Sequence, residues 1–331
     1  MTMSGMNNSN TTSNMVPHPC LTVIYSIIIV LGLVFNAGAL WVFSCHIRLR
    51  SGTTIYMRSL ATADLLLVCF LPFQIASSYH PELRDICKLS FLIFLINMYT
   101  SIFFLACISL DRCIATLFPL RLPMRQLQRA APWVSALVWI FSISASLPPY
   151  LIWKLKSLRI NSTDTDCLQL EAVTKKTTVA VTFSLGFALP FCLLLVSSLV
   201  ALWVLRKGKN NGSQLQKMPK AQGMILANLL IFTFCFLPYH TLLCFYQRLL
   251  THSSELALQL FQASQLLASS NAVLDPILYY FTTEAFRETR PISAVRSVAA
   301  CGCWRVAEAP EGDNRKRPSE TVTFLSVTKV V

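Results

Sequence analysis

Residues 87–119 read CKLSFLIFLINMYTSIFFLACISLDRCIATLFP, a long apolar run that meets Asp111-Arg112-Cys113 near its end. The run carries almost no charge between Lys88 and Leu110 and has no Pro or Gly before Pro119. About 20 apolar residues in a helix cross the hydrocarbon core of a bilayer, so the run predicts a membrane-spanning helix. A buried core helix of a soluble protein is the alternative. Six further segments of the same kind argue against it.

The whole chain has the composition of a membrane protein. Of its 331 residues, 54% are hydrophobic and 13% are charged, and the mean hydropathy is +0.55. Soluble domains carry about 25% charged residues, so this chain could not cover a globule with polar surface. The net charge of +13 raises the question of nucleic acid. Its basic residues lie in short segments between apolar runs, as in cytoplasmic membrane loops, so we expect no nucleic-acid binding.

Seven apolar segments predict an all-α, seven-transmembrane bundle. The predicted spans cover about residues 21–45, 54–79, 87–119, 131–153, 175–205, 221–249 and 256–281. Arg48, Arg50 and Arg58 follow the first span, which places the N-terminus outside and the C-terminus inside. We therefore divide the chain into a glycosylated extracellular N-terminus (1–20), the bundle (21–281), a juxtamembrane segment with a short amphipathic helix (282–300) and a disordered cytoplasmic tail (301–331).

Several residues are candidates for covalent modification. Glycosylation acceptors on the predicted outer side are Asn7, Asn10 and Asn161. Cys301 and Cys303 near the inner membrane face are palmitoylation candidates, with unmodified thiols as the alternative. Cys87, at the outer end of the third span, and Cys167, in the next outer loop, are expected to form a disulfide in an oxidising compartment. Two free thiols are the alternative for that pair.

Two carboxylates lie inside apolar spans. Asp64 and Asp275 each cost roughly 2.5–3.5 kcal/mol there unless they are paired or hydrated. Ser101 and Asn271 are polar residues at comparable depth in the third and seventh spans. The four residues predict a small hydrated cavity that holds Na⁺ or a proton, with interhelical hydrogen bonding alone as the alternative. We expect no other cofactor or metal.

Prolines lie within five of the predicted spans, where each removes a backbone hydrogen bond and permits a kink. Such a distribution suggests a bundle with two alternative packings. Arg112, beside Asp111 at the inner end of the third span, has two interpretations. It is either an interface residue that snorkels to water or a latch that a partner protein releases.

Taken in order, these motifs make the chain resemble a rhodopsin-like (class A) G-protein-coupled receptor over about residues 20–300. The matching residues are Asn36, Asp64, the Cys87/Cys167 pair, Asp111-Arg112-Cys113, Trp139, Pro190, Phe236-Leu237-Pro238-Tyr239 and Asp275-Pro276-Ile277-Leu278-Tyr279. The resemblance implies that an activation switch comprises Asp111, Arg112, Phe236, Pro238, Pro276 and Tyr279.

Four positions depart from the usual family pattern. Cys113 and Ser198 stand where the family often has Tyr, Phe236 replaces the common Trp, and Asp275 replaces the commoner Asn. Phe236 and Asp275 recur in the branch that holds nucleotide and lysophospholipid receptors. Within that branch the chain looks most like lysophosphatidic acid receptors of the fifth type. Kynurenate-responsive and lysophosphatidylinositol-responsive receptors are the alternatives.

The residues also restrict the ligand. The third span has no carboxylate between Cys87 and Asp111, and Phe94 stands where amine receptors carry one, so we expect no amine ligand. The seventh span has no lysine that could hold retinal. Cations above an apolar cavity suit an anionic headgroup with a hydrophobic tail. The expected ligand-binding residues are Arg84, Lys88, Tyr99, Lys175, Lys176, Tyr239, His240 and Arg248, each with an interface or packing role as its alternative.

These observations predict a plasma-membrane receptor for an extracellular ligand, which is expected to be lysophosphatidic acid. The ligand would bind one of the two packings of the helix bundle more tightly than the other. The resemblance implies that helix 6 swings outward around Pro238, that Arg112 is freed and that a heterotrimeric G protein enters; arrestin would bind the phosphorylated tail. A small organic acid, a nucleotide or another lysophospholipid is the alternative ligand. An ion or proton transporter with Asp64 and Asp275 as its relay is the alternative class, although no inverted repeat is evident. No catalytic motif indicates an enzyme.

Overall fold

The structure is a computed structural model of the chain. It describes residues 19–45, 52–80, 83–118, 123–160, 174–210 and 218–282. The chain divides into two compact units, 1–289 and 290–331, and every described residue belongs to the first. The predicted sites at Asn7, Asn10, Asn161, Cys167, Cys301 and Cys303 lie outside the described residues, as do the juxtamembrane segment beyond Thr282 and the tail. Those expectations, and the outside placement of the N-terminus, stay predictions.

Seven helices make up the described part of the chain, which contains no strand, so the all-α prediction is confirmed. The first four lie in the first half of the chain: α1 (Pro19–Cys45), α2 (Gly52–Tyr79), α3 (Arg84–Leu117) and α4 (Pro123–Ile160). Helix α5 joins Lys176–Val181, a π-helical segment Thr182–Ala188 and Leu189–Asn210. Helix α6 is Met218–His252, and α7 joins Ser254–Ser269 and Asn271–Thr282 at Ser270.

Helices α1 to α6 are long and apolar enough to cross a membrane. Helix α7 is divided at Ser270 into segments of 16 and 12 residues, and each is shorter than the ~20 residues of a typical span. Together the segments are long enough, and both pack on the same bundle. The architecture is therefore consistent with the predicted seven-transmembrane bundle.

Helix α3 is the centre of the bundle. Of its most apolar stretch, 89% is buried inside the protein, against 22% for α1 and 28% for α4. It packs against α2, α4 and α5 and also reaches α6. Outward-facing side chains on the other helices are large and apolar, for example Val34 on α1, Trp133 on α4 and Trp203 on α5. Such a surface suits lipid rather than water.

Two hydrophobic clusters hold the helices together. The main cluster runs through most of the bundle. A second, much smaller cluster contains Cys113 of α3, Ala201 of α5 and Ile225 of α6. It lies at the helix ends on the side of the bundle where Arg112 is found. The two clusters share no residue, although Met224 of the main cluster directly precedes Ile225 on α6.

Prolines lie inside the helices as the sequence predicts, with Pro72 in α2, Pro238 in α6 and Pro276 in α7. In α5 the helix widens into the π segment just before Pro190. Proline has no N–H for the carbonyl four residues earlier, which here belongs to Gly186, and a π turn is one way a helix accommodates that loss. The sequence predicted a kink there but not this local geometry.

Candidate functional site

The predicted hydrated cavity corresponds to a buried set of polar side chains from α2, α3 and α7. We call it the carboxylate cluster: Asp64, Asn97, Ser101, Asn271 and Asp275. Asn97 donates to Oδ1 of Asp64 over 2.9 Å, and Asn271 donates to Oγ of Ser101 over 2.9 Å. The structure thus brings together all four residues named from the sequence. It adds Asn97, which lies one helical turn before Ser101 on the same face of α3.

The carboxylate cluster has more hydrogen-bond acceptors than donors. No hydrogen-bond partner among the described residues reaches Oδ2 of Asp64, Oδ1 of Asn271 or either carboxylate oxygen of Asp275. Both carboxylates are fully buried. Buried acceptors of this kind are satisfied by water, by a proton or by a cation. Carboxylate, hydroxyl and amide oxygens are the ligands that hard cations prefer. These oxygen ligands therefore suit Na⁺.

The position of α7 beside the carboxylate cluster is fixed from α1. Asn36 donates to the carbonyl oxygens of Gly32, over 2.9 Å, and of Ala272, over 2.7 Å. Ala272 directly follows Asn271, so this bond holds the start of the second α7 segment. Among the described residues no group of three or more His, Cys, Asp or Glu is placed to hold a metal. A transition-metal site is not indicated there.

Arg112 lies in a second polar group. Its guanidinium donates to Oδ2 of Asp111 over 2.7 Å and to the hydroxyl of Thr53, which itself donates to Asp111. Thr53 is at the start of α2, so the group joins α2 to α3. Sequence reasoning named Asp111 and Arg112 and missed Thr53, because a hydroxyl near a helix end carries no distinctive pattern.

A third group, which we call the polar layer, was not predicted: Ser109 of α3, Ser197 and Ser198 of α5, and Asn228 of α6. The hydroxyl of Ser109 lies 2.8 Å from that of Ser197 and 3.0 Å from that of Ser198. Asn228 donates to the carbonyl oxygen of Leu105, one turn before Ser109, over 2.9 Å. All four side chains are buried. Ser198, noted in the sequence as a departure, thus finds a partner on α3.

Nearer the other ends of α3 and α6, the predicted pocket residues Tyr99, Tyr239 and His240 lie together. The ring of His240 is 6.2 Å from that of Tyr99 and 5.3 Å from that of Tyr239. Phe187 of α5 stacks on His240 at 4.5 Å. His240 Nδ1 is 2.8 Å from the carbonyl oxygen of Phe236, and no hydrogen-bond partner among the described residues reaches Nε2.

The π segment of α5 brings its backbone against this aromatic group. A Cβ atom at Gly186 would lie only 2.8 Å from Cε1 of Tyr99, so only glycine allows the approach. Phe94, at the amine-receptor position, packs edge-on against Tyr239 with ring centres 5.8 Å apart. The interior at this depth is therefore apolar and aromatic, with no carboxylate among the described side chains of the group.

The predicted cationic residues do not share one environment. Lys88 is only 2% exposed near the start of α3, whereas Lys175, Lys176 and Arg248 are exposed. The side chain of Arg84 lies outside the described residues. Cys87 next to Lys88 is disulfide-bonded and buried, but its expected partner Cys167 also lies outside the described residues. Of the predicted cations, Lys88 alone is described as an interior residue.

Comparison with known proteins decides the family. The family described as "7 transmembrane receptor (rhodopsin family)" matches residues 35–279, from just before Asn36 to Tyr279. The chain belongs to this family. It is a rhodopsin-family G-protein-coupled receptor and a multi-pass membrane protein, not an enzyme, as the sequence predicted. The receptor interpretation thus displaces the transporter alternative.

Several relatives carry the name lysophosphatidic acid receptor. Human lysophosphatidic acid receptor 4 is 32% identical over 286 residues, which cover 82% of this chain and 76% of the relative. Mouse lysophosphatidic acid receptor 6 is 34% identical over 279 residues, or 80% of this chain and 81% of the relative. Bovine lysophosphatidic acid receptor 5 is 32% identical over 327 residues, or 92% and 88%. The predicted branch of the family is confirmed.

Proposed function

We propose that this receptor responds to an extracellular anionic lysophospholipid, with lysophosphatidic acid as the ligand, and activates heterotrimeric G proteins. The observation that carries the proposal is the buried Lys88 near the start of α3, in a chain whose relatives are named lysophosphatidic acid receptors. A phosphate accepts several charge-assisted hydrogen bonds, and a cation held in the helix bundle offers one at a fixed position.

The rest of the ligand would meet a suitable surface deeper in the bundle. The rings of Tyr99, Tyr239 and His240, with Phe94 and Phe187, form an apolar aromatic interior. An acyl chain packed there gains from apolar burial, about 0.8 kcal/mol for each methylene. Lys175, Lys176 and Arg248, which are exposed, would attract the headgroup before it enters. A small organic acid or a nucleotide would use the same cations without the tail.

Ligand binding would shift the bundle between two packings. In the proposed active packing, α6 moves outward around Pro238 and Arg112 leaves Asp111 and Thr53 to meet the G protein. Phosphorylation of the tail would then recruit arrestin, and acyl chains on Cys301 and Cys303 would hold the tail near the plasma membrane. Glycans on Asn7, Asn10 and Asn161 and a Cys87–Cys167 disulfide belong to the outer side in this proposal.

The carboxylate cluster would hold Na⁺ in the resting packing. Asp64, Ser101, Asn271 and Asp275 supply oxygen ligands, and four of their oxygens have no hydrogen-bond partner in the described part of the chain. A cation there would neutralise part of the charge of two carboxylates that repel each other. It would thereby stabilise α2, α3 and α7 in their present arrangement.

The test is G-protein activation in cells that express the receptor. Wild type, Lys88→Ala, Arg248→Ala and the control Arg129→Ala, an exposed cation of α4, are exposed to lysophosphatidic acid, lysophosphatidylinositol, kynurenate and nucleotides. We expect lysophosphatidic acid to activate wild type. Its half-maximal concentration should rise about 30-fold or more in Lys88→Ala, since a buried charge contact is worth about 2 kcal/mol or more. Arg248→Ala should give a rise of a few-fold, and Arg129→Ala none.

A response to kynurenate or nucleotides alone would overturn the lysophospholipid as ligand and leave the receptor intact. Equal potency in Lys88→Ala and wild type, at equal surface amounts, would remove Lys88 from the headgroup site. Activation by no member of the panel would contradict the proposed ligand class.

A further inference from the structure

The polar layer adjoins the small cluster at the ends of α3, α5 and α6 that lie beside Arg112. Cys113, Ala201 and Ile225 each lie about one helical turn from a member of the polar layer. The main cluster reaches α6 on both sides of Asn228, through Met224 and Phe232. The inner part of α6 is therefore held by apolar packing and by the polar layer together.

Within the polar layer, α5 and α6 are attached to α3 in different ways. Ser109 contacts Ser197, Ser198 and the carbonyl oxygen of Leu194, so α5 is held by three polar contacts. For α6 the described hydrogen bond to α3 is that from Asn228 to Leu105. Oδ1 of Asn228 has no partner in the described part of the chain. The amide is thus half satisfied, and its bond to α3 can be broken without loss of a second contact.

Asn228 is also well placed to act on the movement of α6. It lies between the start of α6 and Pro238, about 15 Å before the proline along the helix axis. Below Asn228, the packing of α6 on α3 and α5 includes Ile225 in the small cluster. The carbonyl of Leu105 keeps its own helical hydrogen bond whether or not Asn228 binds it, so release leaves no unpaired group on α3.

We propose that Asn228 is a positioning residue that restrains the inner part of α6 against α3 in the resting packing. The hydrogen bond to Leu105 stabilises the closed arrangement, while the serine contacts keep α5 on α3 as α6 moves. The restraint is a property of the bundle and does not depend on the ligand class. Only its signalling effect rests on the proposed function.

The experiment compares Asn228→Leu with Thr233→Val, a control on the same helix. Leu removes the amide and keeps a similar volume. Val removes a hydroxyl whose described bond is to Leu229 of α6 itself. Each receptor, purified in lipid nanodiscs, carries trifluoromethyl-phenylalanine at the exposed position Leu226, whose ¹⁹F spectrum reports the arrangements of the inner part of α6. Ligand-independent G-protein activation is measured in parallel.

In Asn228→Leu we expect the population of the minor ¹⁹F signal to rise about fivefold, as the loss of one neutral interhelical hydrogen bond implies. Basal G-protein activation should rise by a similar factor, and Thr233→Val should match wild type in both. Unchanged spectra and basal activity in Asn228→Leu would overturn the proposal. Changed spectra with no G-protein activation by any variant would support the restraint and count against the proposed function instead.

The amount of folded receptor in the membrane also tests the proposal. If Asn228→Leu does not accumulate in the membrane, Asn228→Ala replaces it, because Ala cannot overpack the site. If neither variant folds while Thr233→Val does, Asn228 is required for assembly rather than for a releasable contact, and the proposal is wrong.

Discussion

The carboxylate cluster and the polar layer are both buried, both centred on α3 and about two helical turns apart, yet they differ in how they are satisfied. In the polar layer, hydroxyls pair with one another, since each can donate and accept. In the carboxylate cluster, four acceptor oxygens have no hydrogen-bond partner among the residues that the structure describes. The polar layer is therefore nearly complete with protein groups alone. The carboxylate cluster needs a cation, a proton or water to satisfy its oxygens. The polar layer therefore joins helices, whereas the carboxylate cluster is suited to bind a ligand.

We expect the largest difference in stability between the two regions when one amide donor is removed from each. Asn97→Leu takes away the described donor to Asp64 and leaves a buried carboxylate without it, which should lower the free energy of unfolding by about 2–4 kcal/mol. Asn228→Leu leaves only a carbonyl that keeps its helical bond, so we expect a change within about 1 kcal/mol. The melting temperatures of the two purified receptors, with or without Na⁺, provide the measurement.

Equal melting temperatures for Asn97→Leu and Asn228→Leu would contradict the distinction. A rise in stability in Asn97→Leu would mean that Asp64 is satisfied by something other than Asn97.

A second prediction concerns sodium. Replacement of Na⁺ by N-methylglucamine at constant ionic strength should lower the melting temperature of wild type, because a cation at about ten times its Kd adds about 1.4 kcal/mol. Asp64→Asn should abolish this dependence, while Ser109→Ala, in the polar layer, should keep it. A sodium effect of full size in Asp64→Asn would place the ion elsewhere. If Na⁺ does not change the melting temperature of wild type, protons or water satisfy the oxygens of the carboxylate cluster instead.

The smallest effect is expected when one hydroxyl is removed from the polar layer. Ser109→Ala removes the partner of Ser198, while Ser197 keeps a bond to the carbonyl of Leu194, so the loss should be about 1 kcal/mol. Ser109→Ala combined with Ser198→Ala should be less destabilised than Ser109→Ala alone, since no hydroxyl is then left without its partner. Ser144→Ala, whose hydroxyl binds its own helix on an exposed face, is the control.

If the double variant proved clearly less stable than Ser109→Ala alone, Ser198 would have a partner or role besides Ser109. Thermal melting of the purified receptors decides between the two cases.

Much of the fold could be predicted because apolar length and proline position are visible in the sequence. Asp64 and Asp275 were identifiable since a carboxylate in an apolar helix is costly and needs a reason. Asn97 could have been found, because it is four residues from Ser101 and so shares its face. Ser109 and Asn228 could not, since neutral polar residues are common in membrane helices and their partners depend on which helices touch.

The environment of the predicted cations was also beyond the sequence. Lys88 and Lys175 both lie near a predicted outer helix end, yet one is buried and the other exposed. That distinction depends on the central position of α3, which follows from packing rather than from local composition. The division of α7 at Ser270 had no clear sequence signal either.

The π-helical segment of α5 has one further consequence. An α-helix turns about 100° per residue, whereas one wide π turn takes up an extra residue with little added rotation. Deletion of one residue within Thr182–Ala188 should therefore restore a regular α-helix and leave Lys176 at about its present angle relative to Ser197 and Ser198. The same deletion between Leu189 and Ser197 would instead rotate the two ends of α5 by about 100° relative to each other.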